Sequence, residues 1–313
     1  MQEAYALAEA FCRKLGDRMK GSGFLKTLLL RRVGSSIAAG RKTAEQMLGS
    51  WEEIETGTAA LEGDDEERGD AEVNTMSRTL TREERELLER FIAALTANRE
   101  RDPKYAVVLE CLRTRGWLDK GCIVFSQYFD SARWLAEQLV TDLAGERVAV
   151  YAGSGRSGIW YDGRFTPVSR EDIKSQVWRG ELRLMLGTDA ASEGLNLQRL
   201  GTLINLDLPW NPTRLEQRKG RIQRIGQVND TVYVYNLRYI GSVEDRVHQL
   251  LSDRLQDIYT LFGQLPDVLE DVWVGCSTGR GGKGQTDHRR GAGATSLRHQ
   301  VSAGCQSGLG VLR

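Results

Sequence analysis

Five short apolar runs alternate with amphipathic stretches through the middle of the chain. The runs are CIVFS, VAVYA, LRLMLGT, TLINLD and VYVYNL, at residues 122–126, 148–152, 182–188, 202–207 and 232–237. Runs of this length between turn residues predict buried strands, and the stretches between them predict helices. Such alternation is typical of a parallel sheet covered by helices on both faces. We therefore predict an α/β fold in which ligands bind at the carboxyl ends of the strands.

Two helices are marked at their amino ends ahead of these strands. Thr81 stands three residues before Glu84 at the start of TREERELLERFIAALTA, which is the spacing of a capping box. Pro103 opens PKYAVVLECL, and proline is favoured in the first turn of a helix. We expect helices to begin at both places, and a further helix over about 242–261 to close the domain.

Composition divides the chain into four segments. Residues 1–61 carry apolar side chains at helical intervals and are predicted to be helical. Residues 62–78 are predicted to be an acidic linker, since EGDDEERGDAE holds seven acids and one arginine and cannot bury a face. Residues 79–265 form the predicted α/β domain. Residues 266–313 are an extension ending in a Gly/Arg-rich tail that we expect to be disordered; a basic nucleic-acid-binding tail and a shifted reading frame are the alternatives.

The overall charge does not point to a partner, because 43 Lys plus Arg balance 43 Asp plus Glu in 313 residues. Apolar residues make up 40% of the chain, enough for a packed core. No run approaches the roughly 18 consecutive apolar residues of a membrane span, and the charged start lacks the apolar core of a signal peptide. Five scattered cysteines without a CxxC pair indicate free thiols rather than a zinc site. We expect a cytoplasmic protein with no membrane partner.

A basic segment follows the fourth strand. Residues 217–227 read QRKGRIQRIGQ, and we expect them to form one short helical run. Arg218, Arg221 and Arg224 are three residues apart, which puts side chains near one face of a helix. Guanidinium groups on that face would grip phosphate oxygens in a two-pronged way. A solvated basic helix is the alternative, but Gly220 weakens a helix and so suggests close backbone approach to another group.

One GxGxxG sequence offers a different hypothesis, a dinucleotide site. Its glycines are Gly153, Gly155 and Gly158, directly after the second predicted strand. A dinucleotide fingerprint needs a helix to follow at once, so that its amino end meets the pyrophosphate. The sequence that follows, IWYDGRFTPVSRED, is rich in turn and aromatic residues. We favour a flexible surface insertion here and keep a Rossmann-type enzyme as an alternative.

The motifs in this order resemble a known family. IVFSQYFDSARWLAEQL resembles helicase motif IV, GTDAASEGLNLQ resembles motif V, LINLDLPWNP resembles the strand and loop before motif VI, and QRKGRIQRIGQ resembles motif VI itself. GFLKTLLLRRVGSSIAA is similar to the helical segment that precedes this lobe in bacterial relatives. The chain thus resembles the second, carboxyl-terminal RecA-like lobe of superfamily 2 helicases and translocases, and the RIGQ ending points to the Swi/Snf-like branch.

The resemblance implies an ATP-hydrolysing site shared between two lobes. ATP with Mg²⁺ would lie in the cleft, and the first lobe would supply the phosphate loop and the metal ligands, so we assign no metal ligand in this chain. Arg221 and Arg224 would be the arginine fingers that stabilise the transferring phosphoryl group. Gln217 would orient the helix or contact phosphate. The predicted nucleotide-binding residues are Gly187, Asp189, Glu193, Gly194 and Asn196.

The resemblance also implies contacts with a nucleic acid, which the Swi/Snf-like motif VI suggests is double-stranded DNA. Ser126, Gln127, Thr188 and Ser192 stand where relatives contact the sugar–phosphate backbone, which positions a strand without reading its sequence. Each could instead cap a helix or form a turn.

The 313 residues contain no GxxxxGKS or GxxxxGKT sequence and no DExH-like acidic motif after an apolar strand. We therefore expect the first lobe to lie upstream on another segment or to act in trans, and the chain alone to hydrolyse ATP poorly. A non-enzymatic nucleic-acid-binding or regulatory lobe and an inactive gene fragment are the alternatives.

Overall fold

A computed structural model describes most of the chain. The described residues are 2–18, 23–49, 80–97, 102–153, 155–189, 197–209, 212–247 and 311–312. The predicted acidic linker lies outside these ranges, as does nearly all of the predicted tail. The domain limits proposed at 61, 78 and 265 also fall outside them and stay predictions.

Four helices form an amino-terminal cluster with its own apolar core. They are α1 (Gln2–Arg18), α2 (Gly23–Ser35), α3 (Ile37–Leu48) and α4 (Arg82–Ala97). Buried side chains from all four meet in this core, among them Phe11, Leu29, Ile37, Val33, Leu88 and Phe91. We call these four helices the helical cluster. Helix α4 therefore packs with the helices that precede the predicted linker.

The capping signals for α4 and the next helix are confirmed. Thr81 Oγ1 accepts the backbone N–H of Glu84 at 3.2 Å, and Glu84 accepts the N–H of Thr81 at 2.8 Å. These reciprocal bonds satisfy two amide donors that a helix start leaves open. Pro103 occupies the first turn of its helix, and the Asp102 carboxylate before it accepts the N–H of Lys104 at 2.9 Å.

The rest of the chain alternates helices and strands. It forms α5 (Pro103–Arg113), α6 (Trp117–Lys120), β1 (Cys122–Ser126), α7 (Phe129–Asp142), β2 (Val148–Tyr151), β3 (Gly158–Tyr161), β4 (Arg164–Pro167), α8 (Arg170–Arg179), β5 (Leu184–Thr188), β6 (Thr202–Asn205), α9 (Pro212–Ile222), β7 (Tyr233–Asn236), β8 (Arg238–Tyr239) and β9 (Val311–Leu312). Residues 243–247 are also helical, at the start of the predicted closing helix. Strands β8 and β9 form a separate two-stranded pairing.

The main sheet has seven strands in the order β4-β3-β2-β5-β1-β6-β7. The five strands β2, β5, β1, β6 and β7 are neighbours in that order, and each adjacent pair is parallel. They are the five strands predicted from the apolar runs, and the prediction is confirmed. Helices cover both faces, as predicted. One face packs under α5, α6 and α7 around Trp134 and Leu135. The other packs under α8 and α9 around Phe125 and Ile222.

A hairpin at one edge of the sheet corrects the predicted surface insertion. Strand β3 pairs antiparallel with β2 and with β4, so the sheet is mixed. The turn between them holds Asp162 at φ 47° and Gly163 at φ 72°, the positive values that a tight two-residue hairpin turn requires. Because a strand rather than a helix follows Gly158, this segment lacks the helix amino end that a dinucleotide site needs.

None of the helices within the described ranges combines the length and the apolar character that a membrane crossing requires. Cys12, Cys111 and Cys122 are buried and form no disulfide bond among the described residues, which agrees with the thiols predicted for this composition. The remaining two cysteines lie outside the described residues.

Candidate functional site

Three strands and one helix meet at the carboxyl edge of the sheet. Strands β1, β5 and β6 lie side by side in parallel there, and α9 reaches their ends through Arg218. This side chain is 1% exposed, although it belongs to the most basic segment of the chain. Its surroundings explain how a guanidinium can be buried here.

Every nitrogen of the Arg218 guanidinium has an acceptor. Nε donates to Asp189 Oδ1 at 2.6 Å and Nη2 donates to Asp189 Oδ2 at 2.8 Å. Nη1 donates to Asn205 Oδ1 at 2.9 Å and to the carbonyl oxygen of Asp207 at 3.0 Å. The flat group also lies over the Phe125 ring, 5.5 Å from its centroid. Two-pronged bonds of this kind fix direction as well as distance, so Arg218 sets the orientation of α9 on the sheet.

Asp207 is a fully buried carboxylate that joins three elements. Its oxygens accept the hydroxyls of Ser35 and Ser126, each at 2.5 Å, and the backbone N–H of Gln127 at 2.9 Å. Arg218 Nη2 lies 3.6 Å away. Burial alone would raise the pKa of Asp207, but the charge of Arg218 and the hydroxyl donors hold it below its usual value. The carboxylate is therefore ionised and ties the end of α2 to the ends of β1 and β6.

A buried lysine completes this junction. Lys104 is 0% exposed, and its Nζ donates to the carbonyl oxygens of Gly34 at 2.6 Å and Leu206 at 2.5 Å. It also lies 4.6 Å from the centroid of the Tyr239 ring. The carboxylate of Glu244 is 3.8 Å from the ammonium group, and burial raises the pKa of Glu244 to about 7 despite this neighbour.

The three predicted catalytic residues lie on α9 and just beyond it. Gln217 is exposed and Arg221 is half-buried. Helix α9 ends at Ile222, so Arg224 lies in the following turn, where its Nε donates to the carbonyl oxygen of Gly220 at 2.9 Å. The prediction of one helical run through residue 227 is therefore wrong for its last part. Beyond Ile222 the backbone forms a turn, in which the N–H of Gln227 bonds the carbonyl oxygen of Arg224 at 3.0 Å and residue 226 has a positive φ.

Two glycines of this region have different surroundings. A methyl group at Gly187 in β5 would lie 3.0 Å from the Phe125 ring, so a side chain there would be tightly packed and would require the ring to shift. A methyl group at Gly220 in α9 would meet no atom within 4 Å. The close approach that Gly220 suggested is therefore not an approach to the described part of this chain.

The predicted nucleotide-binding residues are only partly within the described ranges. Gly187 is the fourth residue of β5, and Asp189 directly follows the strand. Both carboxylate oxygens of Asp189 bind Arg218. Glu193, Gly194 and Asn196 lie outside the described residues.

The predicted nucleic-acid contacts lie at the ends of β1 and β5. Ser126 is buried, and besides binding Asp207 its Oγ accepts the backbone N–H of Tyr128 at 3.1 Å. Gln127 is half-buried, and its Oε1 accepts a hydrogen bond from Arg31 at 2.6 Å. Thr188 is buried, and its hydroxyl has no hydrogen-bond partner among the described residues. Ser192 lies outside the described ranges.

Four residues that shape this site were not singled out from the sequence: Ser35, Lys104, Asp207 and Glu244. Asp207 had a usable signal, because it directly follows an apolar strand at the edge where ligands of parallel sheets bind. Lys104 had no such signal, since a lysine in the first turn of a helix is expected to be exposed to solvent. Ser35 and Glu244 are far from the site in sequence.

Residues 104–226 match the family model of the helicase conserved C-terminal domain. The match begins at the buried Lys104 of α5 and ends in the turn after α9. It contains Asp189, Asp207 and Arg218, and it leaves the helical cluster with Ser35, and also Glu244, outside.

Two bacterial proteins are similar to part of the chain. The chain is 38% identical over 121 residues to the uncharacterized ATP-dependent helicase YqhH of Bacillus subtilis (strain 168), covering 39% of this chain and 21% of that protein. It is 39% identical over 94 residues to the RNA polymerase-associated protein RapA of Klebsiella pneumoniae (strain 342), covering 30% of this chain and 9% of that protein. The chain thus matches about a fifth or less of the length of these relatives.

Two solved structures can be superposed on this chain in part. The C-terminal part of the Fun30 ATPase domain superposes with a TM-score of 0.44 at 19% identity, covering 84% of this chain and 93% of that one. The Hef helicase domain of Pyrococcus furiosus gives a TM-score of 0.42 at 19% identity, covering 72% and 40%. Similarity at this level does not carry residue roles from one protein to another.

Proposed function

We propose that this chain is the arginine-supplying lobe of an ATP-dependent nucleic-acid translocase. The proposal is supported by the match of residues 104–226 to the helicase conserved C-terminal domain and by the similarity to an ATP-dependent helicase. The chain would hydrolyse ATP together with a lobe that carries a phosphate loop, joined in cis or supplied in trans. The 313 residues contain no GxxxxGKS or GxxxxGKT sequence of their own.

One observation carries the proposal. Arg218 holds one side of α9 on the sheet, and three other positions of the same helix could contact a further partner. The Nε of Arg221 is buried without a hydrogen-bond partner among the described residues, Gln217 is exposed, and Gly220 faces open space. A fixed helix with an open basic surface is suited to meet a phosphate group and the backbone of a second lobe.

The chain's own residues would act by position and charge. We propose that Arg221 and Arg224 approach the phosphates of ATP and stabilise negative charge as the terminal phosphoryl group is transferred. Gln217, one helical turn before Arg221, would contact phosphate or orient the helix. Bound ATP with Mg²⁺ supplies the reactive phosphoanhydride, and the ligands for Mg²⁺ would come from the other lobe.

The remaining predicted roles stay proposals. Glu193, Gly194 and Asn196 would bind the nucleotide, as would Gly187. Asp189 would serve this site through Arg218, since both of its oxygens are engaged there. Gln127, Thr188 and Ser192 would contact the sugar–phosphate backbone of double-stranded DNA. Ser126, whose hydroxyl is engaged with Asp207 and Tyr128, would instead hold the turn that presents Gln127. Such a protein would act in the cytoplasm, where bacterial DNA lies.

The test is complementation. The 313-residue chain is mixed with, or fused behind, a phosphate-loop lobe from a Swi/Snf-like enzyme; we call this assembly the complemented enzyme. ATP hydrolysis is measured for each part and for the assembly, with and without double-stranded DNA. We expect DNA-stimulated hydrolysis from the assembly and little from either part. Strong activity of the chain alone would contradict the shared site, and DNA binding without hydrolysis in the assembly would identify a non-enzymatic lobe.

A further inference from the structure

Asp207 receives hydrogen bonds from the helical cluster and from the site at the same time. Ser35, the last residue of α2, donates to Asp207 Oδ2 at 2.5 Å. The backbone carbonyl of Asp207 accepts from Arg218 Nη1 at 3.0 Å, and its carboxylate lies 3.6 Å from Nη2. One residue therefore links the end of α2 directly to the guanidinium that orients α9.

The end of α2 is itself held firmly at this point. The hydroxyls of Ser35 and Ser36 each lie 2.7 Å from Ser131 Oγ. Lys104 Nζ bonds the carbonyl oxygens of Gly34 and of Leu206, the residue before Asp207, at 2.6 and 2.5 Å. A shift of the helical cluster would therefore displace Asp207 together with α2.

The polar character of this link argues for a role beyond stability. A buried ionised group is costly to desolvate, and apolar residues of similar volume often give equal or greater stability. Satisfied polar networks, by contrast, define one arrangement of the groups they join. Here the joined groups are the helical cluster, which lies outside the matched domain, and the helix that carries Arg221.

We propose that Ser35 and Asp207 are positioning residues that couple the docking of the helical cluster to the orientation of α9. Through Arg218 they set the direction of Arg221, one turn further along the helix. The helical cluster thereby controls the catalytic competence of the lobe. This proposal rests on the proposed function for its effect on catalysis, but the coupling itself is a property of the chain alone.

The first test needs no activity. Amide hydrogen exchange is measured in the 313-residue chain for Ser35→Ala and for Ser36→Ala. Ser36 is the matched control, since it is buried in the same junction and caps α3 but makes no hydrogen bond to Asp207 among those described. We expect Ser35→Ala to speed exchange in α9 about tenfold relative to the central strand β1, and Ser36→Ala to leave that ratio unchanged. If the ratio of exchange in α9 to exchange in β1 were the same for Ser35→Ala and Ser36→Ala, the proposed coupling would be wrong.

The second test uses the complemented enzyme. Ser35→Ala should lower kcat by about 3- to 30-fold with little change in the KM for ATP, and Ser35→Thr, which keeps the hydroxyl, should recover activity. When Arg221 is already replaced by Ala, Ser35→Ala should have no further effect on kcat. The reason is that both substitutions remove the same function, the action of a correctly placed Arg221. If the two substitutions lowered kcat independently, so that their effects multiplied, Ser35 would influence activity only through the amount of folded protein. That result would refute the positioning role.

The two tests separate the possible failures. If the complemented enzyme without substitutions is inactive, the proposed function fails, and hydrogen exchange alone decides whether the cluster and α9 are coupled. If that enzyme is active and Ser35→Ala leaves kcat unchanged, the positioning role fails while the proposed function stands.

Discussion

Arg218 and Asp189 are joined by two parallel hydrogen bonds, from Nε to Oδ1 at 2.6 Å and from Nη2 to Oδ2 at 2.8 Å. The pair connects the residue after β5 with the middle of α9, and the Arg218 side chain is 1% exposed. It therefore joins the segments that resemble motifs V and VI through one buried contact.

Breaking this contact should destabilise the lobe strongly. Arg218→Ala leaves the buried carboxylate of Asp207 and the largely buried one of Asp189 without their cation, which typically costs about 3–5 kcal/mol. The free energy of unfolding in urea measures this loss. Arg133→Ala on α7 is the control, because its exposed pair with Glu137 should contribute less than about 1 kcal/mol. A loss for Arg218→Ala as small as that of the control would show that the pair does not hold α9.

Gly220→Ala should separate stability from activity. Its new methyl group meets nothing within 4 Å, and alanine favours a helix over glycine by about 1 kcal/mol, so the chain should unfold at higher urea concentration. In the complemented enzyme, ATP hydrolysis should fall if this face of α9 packs closely on a second lobe or on ATP. A variant that is both more stable and fully active would exclude such close packing.

Gly187→Ala should have the opposite effect on stability. The added methyl group would lie 3.0 Å from the Phe125 ring and 3.5 Å from the side chain of Ile123, inside a packed sheet. Overpacking of this kind costs about 1–3 kcal/mol, and the free energy of unfolding should fall accordingly. Unchanged stability would mean that the ring of Phe125 moves aside freely.

The stability of the chain should depend on pH through Glu244. Burial raises the pKa of Glu244 from 4.5 to about 7, so its protonated form is favoured in the folded state. The stability that the protonated Glu244 contributes is fully present below the pKa that this group has in the unfolded chain. It is lost as the pH rises through about 7. Across this pH range the free energy of unfolding should fall by on the order of 3 kcal/mol at most.

Glu244→Gln tests this dependence, because the amide stays neutral. The free energy of unfolding of the variant should rise relative to that of the unsubstituted chain between pH 5 and pH 8, by up to about 3 kcal/mol. Glu89→Gln, at an exposed position of α4, controls for the loss of one carboxylate. A difference that does not vary with pH would show that Glu244 is not buried as a neutral acid.

Much of the sheet could be predicted because apolar runs between turn residues report burial directly. The hairpin was missed although its signal was present: Asp162-Gly163 stands between two strand-like segments, and this dipeptide favours the positive φ values observed. The aromatic and polar residues around it looked like an irregular insertion, because most of the hairpin is not buried: every residue of β4 is exposed, and in β3 only Gly158 and Ile159 are buried.

The site was less predictable than the fold. Spacing of three residues placed Arg218, Arg221 and Arg224 together, but spacing alone does not say which side chain turns inward. The answer depends on Asp189 and Asp207, which lie 29 and 11 residues from Arg218 in sequence. The link through Ser35 spans 172 residues, and no local pattern encodes it.

The most direct test of the account is the effect of Arg221→Ala and Arg224→Ala on ATP turnover by the complemented enzyme, with Arg133→Ala as the control. We expect each finger substitution to lower kcat by about a thousandfold or more while ATP binding and the free energy of unfolding stay close to those of the unsubstituted assembly. Arg133→Ala should leave all three quantities unchanged. Turnover at a near-normal rate in both Arg221→Ala and Arg224→Ala would contradict the proposal that this chain supplies the arginine fingers.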